Sequence, residues 1–128
     1  MSHLTYFSPA FNAHYSQAVR KGSEIIVSGQ PGLNRITRVI PTDLKEEVEQ
    51  AFANIDQFVR EAGGKGMSQV YKLTFYATSL DAETMGAADE ALKKWFPEHK
   101  PVLTGIGVSK LALEGMRVEV EAWADVNE

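Results

Sequence analysis

Residues 43–79, DLKEEVEQAFANIDQFVREAGGKGMSQVYKLTFYATS, join an amphipathic helix to an alternating strand and thereby decide the fold class. Asp43 has the side chain of an N-cap, and Gly63-Gly64 is a typical helix end. Between them, apolar residues recur at steps of three and four, so they share one face of the helix. That face comprises Leu44, Val48, Ala51, Phe52, Ile55, Phe58, Val59 and Ala62. The acids expected to be solvated at the helix start are Asp43, Glu46, Glu47 and Glu49.

The second part of this stretch, residues 69–79, alternates two sets of side chains, as a β-strand with one buried face does. The set expected in the core is Tyr71, Leu73, Phe75 and Ala77. A second helix is predicted from Asp81 to Phe96, because Pro97 cannot continue it. Its expected buried face is Met85, Ala88, Leu92, Trp95 and Phe96.

Strand signals flank this central stretch on both sides. The remaining segments are predicted as a hairpin of 16–20 with 24–28, a turn at 29–32 (GQPG), a loop at 33–40 with room for one short strand, and strands at 102–108 and 116–123. The resulting order, β-β-α-β-α-β-β, predicts an α+β fold in which two helices pack on one face of a mixed sheet. We expect residues 1–128 to form a single domain.

The second face of the predicted sheet mixes charged with large side chains. In the last strand this face carries Arg117, Glu119, Glu121 and Trp123, and in the strand after the first helix it carries Val70, Lys72, Thr74 and Tyr76. An oligomer interface commonly has this mixture, whereas a fully solvated face seldom needs such large side chains. The sequence pattern leaves both interpretations open.

Composition excludes several classes of function. The chain has 128 residues, 13 basic against 17 acidic side chains, a formal net charge of -4 and no cysteine. The lack of cysteine excludes thiolate catalysis, disulfides and cysteine-based zinc sites. The mild acidity offers no electrostatic footprint for duplex nucleic acid, which argues against a nucleic-acid partner without excluding it. The N-terminus lacks the pattern of a secretory signal, and no apolar stretch approaches the roughly 20 residues that span a bilayer. We therefore expect a cytoplasmic soluble domain with no membrane partner.

General catalytic motifs are absent: there is no G-x-S-x-G, P-loop, dinucleotide fingerprint or H-E-x-x-H. The three histidines, His3, His14 and His99, show no ligand spacing, so no metal site is predicted. Glu119 lies between two valines of a strand, as either a general acid/base in a cleft or an ordinary exposed or ion-paired glutamate. Tyr15, which follows His14, either caps a pocket or packs at a strand edge.

Segments spread along the chain share the pattern of one known family. They are 15–19 (YSQAV), 26–30 (IVSGQ), 53–55 (ANI), 70–76 (VYKLTFY), 101–108 (PVLTGIGV), 111–112 (LA) and 115–122 (GMRVEVEA). These segments resemble the Y-x-Q-(A/G)-V, S-G-Q, N-(I/V/L) and V-x-K-x-T-V-(F/Y) motifs and the C-terminal signature of the RidA/YjgF family. The family comprises the reactive-intermediate imine deaminases and their relatives.

The resemblance implies a chorismate-mutase-like α+β fold, assembled as a homotrimer around a barrel of sheets with a small-ligand cleft at each subunit interface. Family members such as RidA hydrolyse enamine and imine intermediates to a keto acid and ammonia without a cofactor, so none is expected here. Other labels within the family are translation inhibitor and endoribonuclease L-PSP. The residues that match the family's site are Tyr15, Ser28, Gly29, Thr104 and Glu119, and the glutamate is implied to position or activate water.

The sequence departs from the family pattern at three positions. Where deaminating members have an arginine that clamps the substrate carboxylate, this chain has Leu103, and the cysteine two positions later is Gly105. An asparagine of the second helix corresponds to Asp89. Leucine cannot supply the bidentate charged contact that a guanidinium makes. The predicted catalytic residues are thus Glu119 and Tyr15, and the predicted ligand-binding residues are Ser28, Gly29, Leu103, Thr104 and Gly105.

Two classes of function compete. An enzyme would hydrolyse an imine, an enamine or a related C–N bond in a substrate without a clamped carboxylate. A binding module would hold a small apolar or neutral metabolite in the same trimer without turnover. RNA cleavage is a third alternative, which neither the charge nor the histidine count favours.

Overall fold

The computed structural model describes residues 3–9 and 11–127. Their elements, in chain order, are β1 (Leu4–Phe7), β2 (Ala18–Lys21), β3 (Glu24–Pro31), α1 (Leu44–Glu61), a short 3-10 turn (Met67–Gln69), β4 (Val70–Ala77), α2 (Ala82–Trp95), β5 (Val102–Gly107) and β6 (Val118–Asp125). The strands form one six-stranded sheet in the order β1-β2-β3-β6-β4-β5. All neighbours are antiparallel except β4 and β5, which are parallel.

Both helices pack on one face of this mixed sheet, as the hydrophobic pattern predicts. Every apolar residue predicted for the face of α1 is buried, as are the alternating residues of β6, Val118, Val120 and Ala122. At the start of α1, the Asp43 side chain caps the helix by accepting a hydrogen bond from the Glu46 N–H. The α+β prediction is therefore confirmed, with one additional strand: β1 is short and lies at the sheet edge, and its sequence carries little signal.

Three local predictions are wrong. Residues 29–31 continue β3 instead of forming a turn, because a β-bulge absorbs the extra residue. A second register shift at the start of β4 reverses the alternation there, so Val70 is buried and Tyr71 is exposed. On α2 the buried side chains are those of Thr84, Ala87, Ala88 and Ala91, which recur at steps of three and four, and Met85 lies outside this stripe and is exposed.

Glu47 also contradicts the prediction of a solvated helix start, because its side chain is fully buried. Its Oε1 accepts a hydrogen bond from Arg117 Nε at 2.7 Å. Its Oε2 accepts from the backbone N–H groups of Arg117 at 2.7 Å and Val118 at 3.3 Å. This carboxylate therefore ties the first turn of α1 to the start of β6 across about 70 residues of sequence.

Candidate functional site

Glu119 lies on the sheet face that the helices leave uncovered. It is the second residue of β6, flanked by the fully buried Val118 and Val120, and its own side chain is half-buried. In the sheet register it pairs with Pro31 on one side and Tyr76 on the other. Glu119 thus lies near the start of β6 and opposite the last residue of β3, and these are the two central strands of the sheet.

A β-bulge at Ser28 and Gly29 of β3 places the backbone of Gly29 beside this carboxylate. The register moves from Val27–Ala122 to Gln30–Val120, so two residues of β3 oppose one residue of β6. A Cβ on Gly29 would lie 2.7 Å from Glu119 Oε2, closer than real side chains approach. Glycine at this position therefore allows the Glu119 carboxylate to lie directly against the backbone of β3.

The surroundings of Glu119 favour its protonated form. Burial is the main cause that raises its pKa above the ordinary value, and the charge of Glu121 two residues along the strand adds to it. Glu121 in turn accepts a hydrogen bond from the Tyr76 hydroxyl at 2.8 Å. That hydrogen bond is the main cause that raises the pKa of Tyr76. A carboxyl group with a raised pKa exchanges protons more readily near neutrality, which suits a general acid/base.

The three site residues predicted on β5 divide between the two faces of the sheet. Leu103 pairs with Leu73 of the core, which places it on the helix-covered face, opposite to the face that carries Glu119. There it lines a groove of about 300 Å³ together with Asp89 of α2 and Phe96, the residue that follows α2. Thr104, next along the strand, is on the uncovered face and pairs with Thr74.

Gly105 and Tyr15 complete the set of predicted site residues. A Cβ on Gly105 would meet open space, so packing within the subunit does not require glycine there. Tyr15 is exposed in the loop before β2, and its ring makes an edge contact with Phe11 at 6.1 Å between centroids. One subunit therefore places Gly29 against Glu119, with Ser28 next to Gly29 in the same bulge, and it leaves Leu103 on the other side of the sheet.

Residues 3–9 and 11–127 contain no group of three or more histidine, aspartate or glutamate side chains placed to hold a metal ion. Within the same ranges, no helix is long and apolar enough to cross a membrane.

Both the sequence and the fold match one known protein family. A sequence profile of the endoribonuclease L-PSP family matches residues 6–126. The chain belongs to that family, the RidA/YjgF family. It is 33% identical over 109 residues to the 2-iminobutanoate/2-iminopropanoate deaminase of Dermatophagoides farinae, which covers 84% of this chain and 82% of the relative.

Solved structures in the RidA/YjgF family have the same fold. RidA from an Antarctic Psychrobacter superposes with a TM-score of 0.82 at 30% identity, over 92% of this chain and 93% of that one. Escherichia coli TdcF with bound serine superposes with a TM-score of 0.81 at 28% identity, over 91% of each chain.

The sequence pattern alone does not predict the contacts around Glu119 or its separation from Leu103. The alternation in β6 places Glu119 and Glu121 on one face, but the hydrogen bond from Tyr76 to Glu121 depends on how β4 pairs with β6. The separation of Leu103 from Glu119 depends likewise on the parallel register of β5 with β4. Once the strand order and the registers are known, the two-residue period of each strand is sufficient to predict both features.

Proposed function

We propose that this RidA/YjgF-family chain hydrolyses the C–N bond of a small imine or enamine in a cleft between the subunits of a homotrimer. The observation that carries the proposal is the half-buried carboxylate of Glu119, which lies against the backbone of Gly29 and has a raised pKa. Relatives that bear the name 2-iminobutanoate/2-iminopropanoate deaminase at about one-third identity support this class of reaction.

The proposed step uses Glu119 as the group that orients and deprotonates water. The water oxygen forms a bond to the imine carbon, its proton passes to the Glu119 carboxylate, and the C=N electron pair moves to nitrogen. The protonated Glu119 then returns its proton to the nitrogen. The carbinolamine hydroxyl then gives its proton to Glu119, which passes it to the amino nitrogen. The oxygen lone pair forms the C=O bond as the C–N bond breaks, and the products are a carbonyl compound and ammonia. Backbone N–H groups near Gly29 would hold polar atoms of the ligand.

Assembly into a trimer would bring the separated residues of the predicted site together. Within one subunit Leu103 and Glu119 are on opposite faces of the sheet, so a shared cleft needs residues from two subunits. The edge strand β5 is exposed along its whole length and presents Val102, Leu103 and Ile106, which a monomer would leave open to edge pairing. These two observations support the homotrimer.

We therefore expect light scattering to give about three times the 14.1 kDa mass of the chain at micromolar concentration. A lysine in place of Val102, on the exposed edge strand, is expected to weaken the assembly because it places a charge in the interface core. A stable wild-type monomer at that concentration would contradict the proposal.

Leu103 is proposed to set the substrate class, because it stands where deaminating relatives are expected to hold the substrate carboxylate with arginine. A charge-assisted bidentate contact contributes about 1.5 to 3 kcal/mol, or roughly ten- to a hundredfold in rate. We expect turnover of 2-aminoacrylate-type imino acids to be lower by that factor than in an arginine-bearing relative. Leu103→Arg should recover part of it, limited by a pocket already shaped around leucine.

The measurement is keto-acid formation from enzymatically generated imino acids, with wild type, Leu103→Arg and the conservative Leu103→Met assayed together. Leu103→Met preserves volume without adding charge, and it should behave like wild type. Wild-type turnover equal to that of an arginine-bearing relative would contradict the assignment of Leu103.

The second candidate function is a binding trimer without turnover. The observation that favours it is the groove of about 300 Å³ beside Leu103, in which Leu92, Phe96 and Pro101 offer a metabolite hydrophobic contacts. The lining also includes polar and charged side chains, namely Asp89, Lys93, His99 and Lys100. Thermal stabilisation by a ligand without release of ammonia would support this alternative over hydrolysis.

A further inference from the structure

Three arginines lie near the end of β3, and two of them have fixed partners. Arg35 forms an ion pair with Glu61 at 3.0 Å and lies over the ring of Phe58. Arg117 is bound by Glu47 through Nε, and its Nη2 donates to the carbonyl oxygens of Pro41 and Thr42. The charge of each of these two guanidinium groups is therefore already balanced by a carboxylate.

Arg38, by contrast, forms no ion pair with a carboxylate of residues 3–9 or 11–127. Its guanidinium lies over the ring of Phe11, at 5.5 Å from the ring centroid. An aromatic face holds a cation in position without neutralising its charge. Arg38 is therefore both oriented and available to an anion.

The backbone of Arg38 is strained. Its φ of +63° lies in the left-handed region, where it is the one non-glycine residue among those that the structure describes. The loop is fixed by Asn34, whose side chain accepts hydrogen bonds from the N–H groups of Ile36 and Thr37 and whose carbonyl accepts from Arg38. A long charged side chain at a position that favours glycine is an outlier of the kind found at functional sites.

Arg38 lines a groove of about 550 Å³ whose other walls are largely apolar. Leu33, Ile40, Pro41 and Leu113 supply the apolar walls, and Glu114 is the carboxylate of the lining. Arg117 also lines the groove, but its charge is balanced by Glu47, so the lining has one unpaired cation and one carboxylate. The Glu114 carboxylate repels a dianion such as phosphate more strongly than it repels a ligand with a single negative charge. The apolar walls favour a short aliphatic chain attached to that charge.

This groove reaches the start of β6, the strand that carries Glu119. Its lining includes Arg117, which is two residues from Glu119 in sequence, or about 7 Å along a strand. Arg38 also contacts Phe11, whose ring contacts the predicted site residue Tyr15. A ligand that extended from Arg38 along this groove to Glu119 would have its carboxylate several bonds away from the reacting carbon.

We propose that Arg38 binds the carboxylate of a small monocarboxylate, so that this chain prefers imines whose carboxylate is remote from the reacting carbon. The preference for such substrates rests on the proposed hydrolysis, whereas the anion site itself does not. It explains how a site with leucine at position 103 can still recognise an anion, from another side of the cleft.

Binding of 4-oxopentanoate, which carries its carboxylate remote from its ketone, tests the anion site, with 2-pentanone as the uncharged comparator. We expect wild type to bind 4-oxopentanoate at least tenfold more tightly than 2-pentanone in calorimetric or NMR titrations. Arg38→Gly should remove that preference, and Arg38→Lys should retain part of it. Arg35→Gln removes the same charge three residues away and should leave the preference intact.

The glycine variant keeps this test independent of misfolding. Because glycine accepts a positive φ, Arg38→Gly should leave Tm unchanged or raise it by a few degrees. Equal binding of 4-oxopentanoate by wild type and Arg38→Gly, or no preference over 2-pentanone in wild type, would overturn the inference. Binding that depends on Arg38 without ammonia release from any imine would leave the anion site standing and refute the proposed hydrolysis.

Discussion

Glu119→Gln should lower the rate of imine hydrolysis by about a hundred- to ten-thousandfold, the range that general acid/base groups contribute. Glutamine preserves the shape of the side chain against Gly29, but it cannot accept a proton from water. The measurement is ammonia release under saturating substrate, with Glu90→Gln as the control because Glu90 forms only an exposed ion pair on the helices. Full turnover by Glu119→Gln would show that Glu119 is an ordinary strand glutamate.

Although Glu119→Gln should lower activity, it should raise the stability of the folded protein near neutral pH. Burial raises the pKa of Glu119, so the folded state disfavours its charged form, and this penalty grows as the pH rises through the raised pKa. Glu119→Gln should therefore be more stable than wild type at pH 7, and the difference should vanish below the ordinary pKa of glutamate. Denaturant unfolding at the two pH values checks this. A less stable variant at pH 7 would contradict the burial argument.

The pH dependence of hydrolysis follows from the same shift. Wild-type turnover should fall as acid protonates Glu119, and the fall should begin at a higher pH than an unperturbed glutamate would give.

Glu47→Ala should lower the free energy of unfolding by about 3–5 kcal/mol, the effect of breaking a buried ion pair from one side. It removes the acceptor for Arg117 Nε and for two backbone N–H groups at the start of β6, and Val118 is fully buried there. Glu47→Gln should have a smaller effect, because the amide oxygen still accepts one of these hydrogen bonds. Denaturant unfolding of each variant gives the values.

The matched control is again Glu90→Gln, which removes an exposed ion pair with Lys45 and should change stability by less than about 1 kcal/mol. An effect of Glu47→Ala as small as that of the control would mean that the helix start tolerates loss of its tie to β6.

The helices and strands that can be predicted from the sequence are those whose buried face repeats with the period of the helix or strand itself. The apolar face of α1 repeats at helical spacing, and β6 alternates strictly, so both could be predicted without knowledge of the partners. The phase of β4 could not, because its register shift against β6 exchanges the roles of Val70 and Tyr71. The alternation in β6 also predicts that Glu119 lies away from the core.

The rest of the candidate site depends on contacts between distant segments. Glu47 is one of four acids near a helix start, and only its contact with Arg117, 70 residues later, distinguishes it from its neighbours. The left-handed backbone of Arg38 depends on how Asn34 closes its loop. No pattern of residue types around Arg38 predicts that its guanidinium lacks a carboxylate partner.

The central claim is that this chain breaks C–N bonds and does not merely bind small molecules, and the stoichiometry of products tests it most directly. Purified wild-type protein should be incubated with enzymatically generated imines, one set with an α-carboxylate and one set without it. We predict that wild type releases ammonia and carbonyl product in a 1:1 ratio above the spontaneous rate, most strongly for imines without an α-carboxylate. Thermal stabilisation by these compounds with ammonia release no faster than the spontaneous rate would contradict the claim.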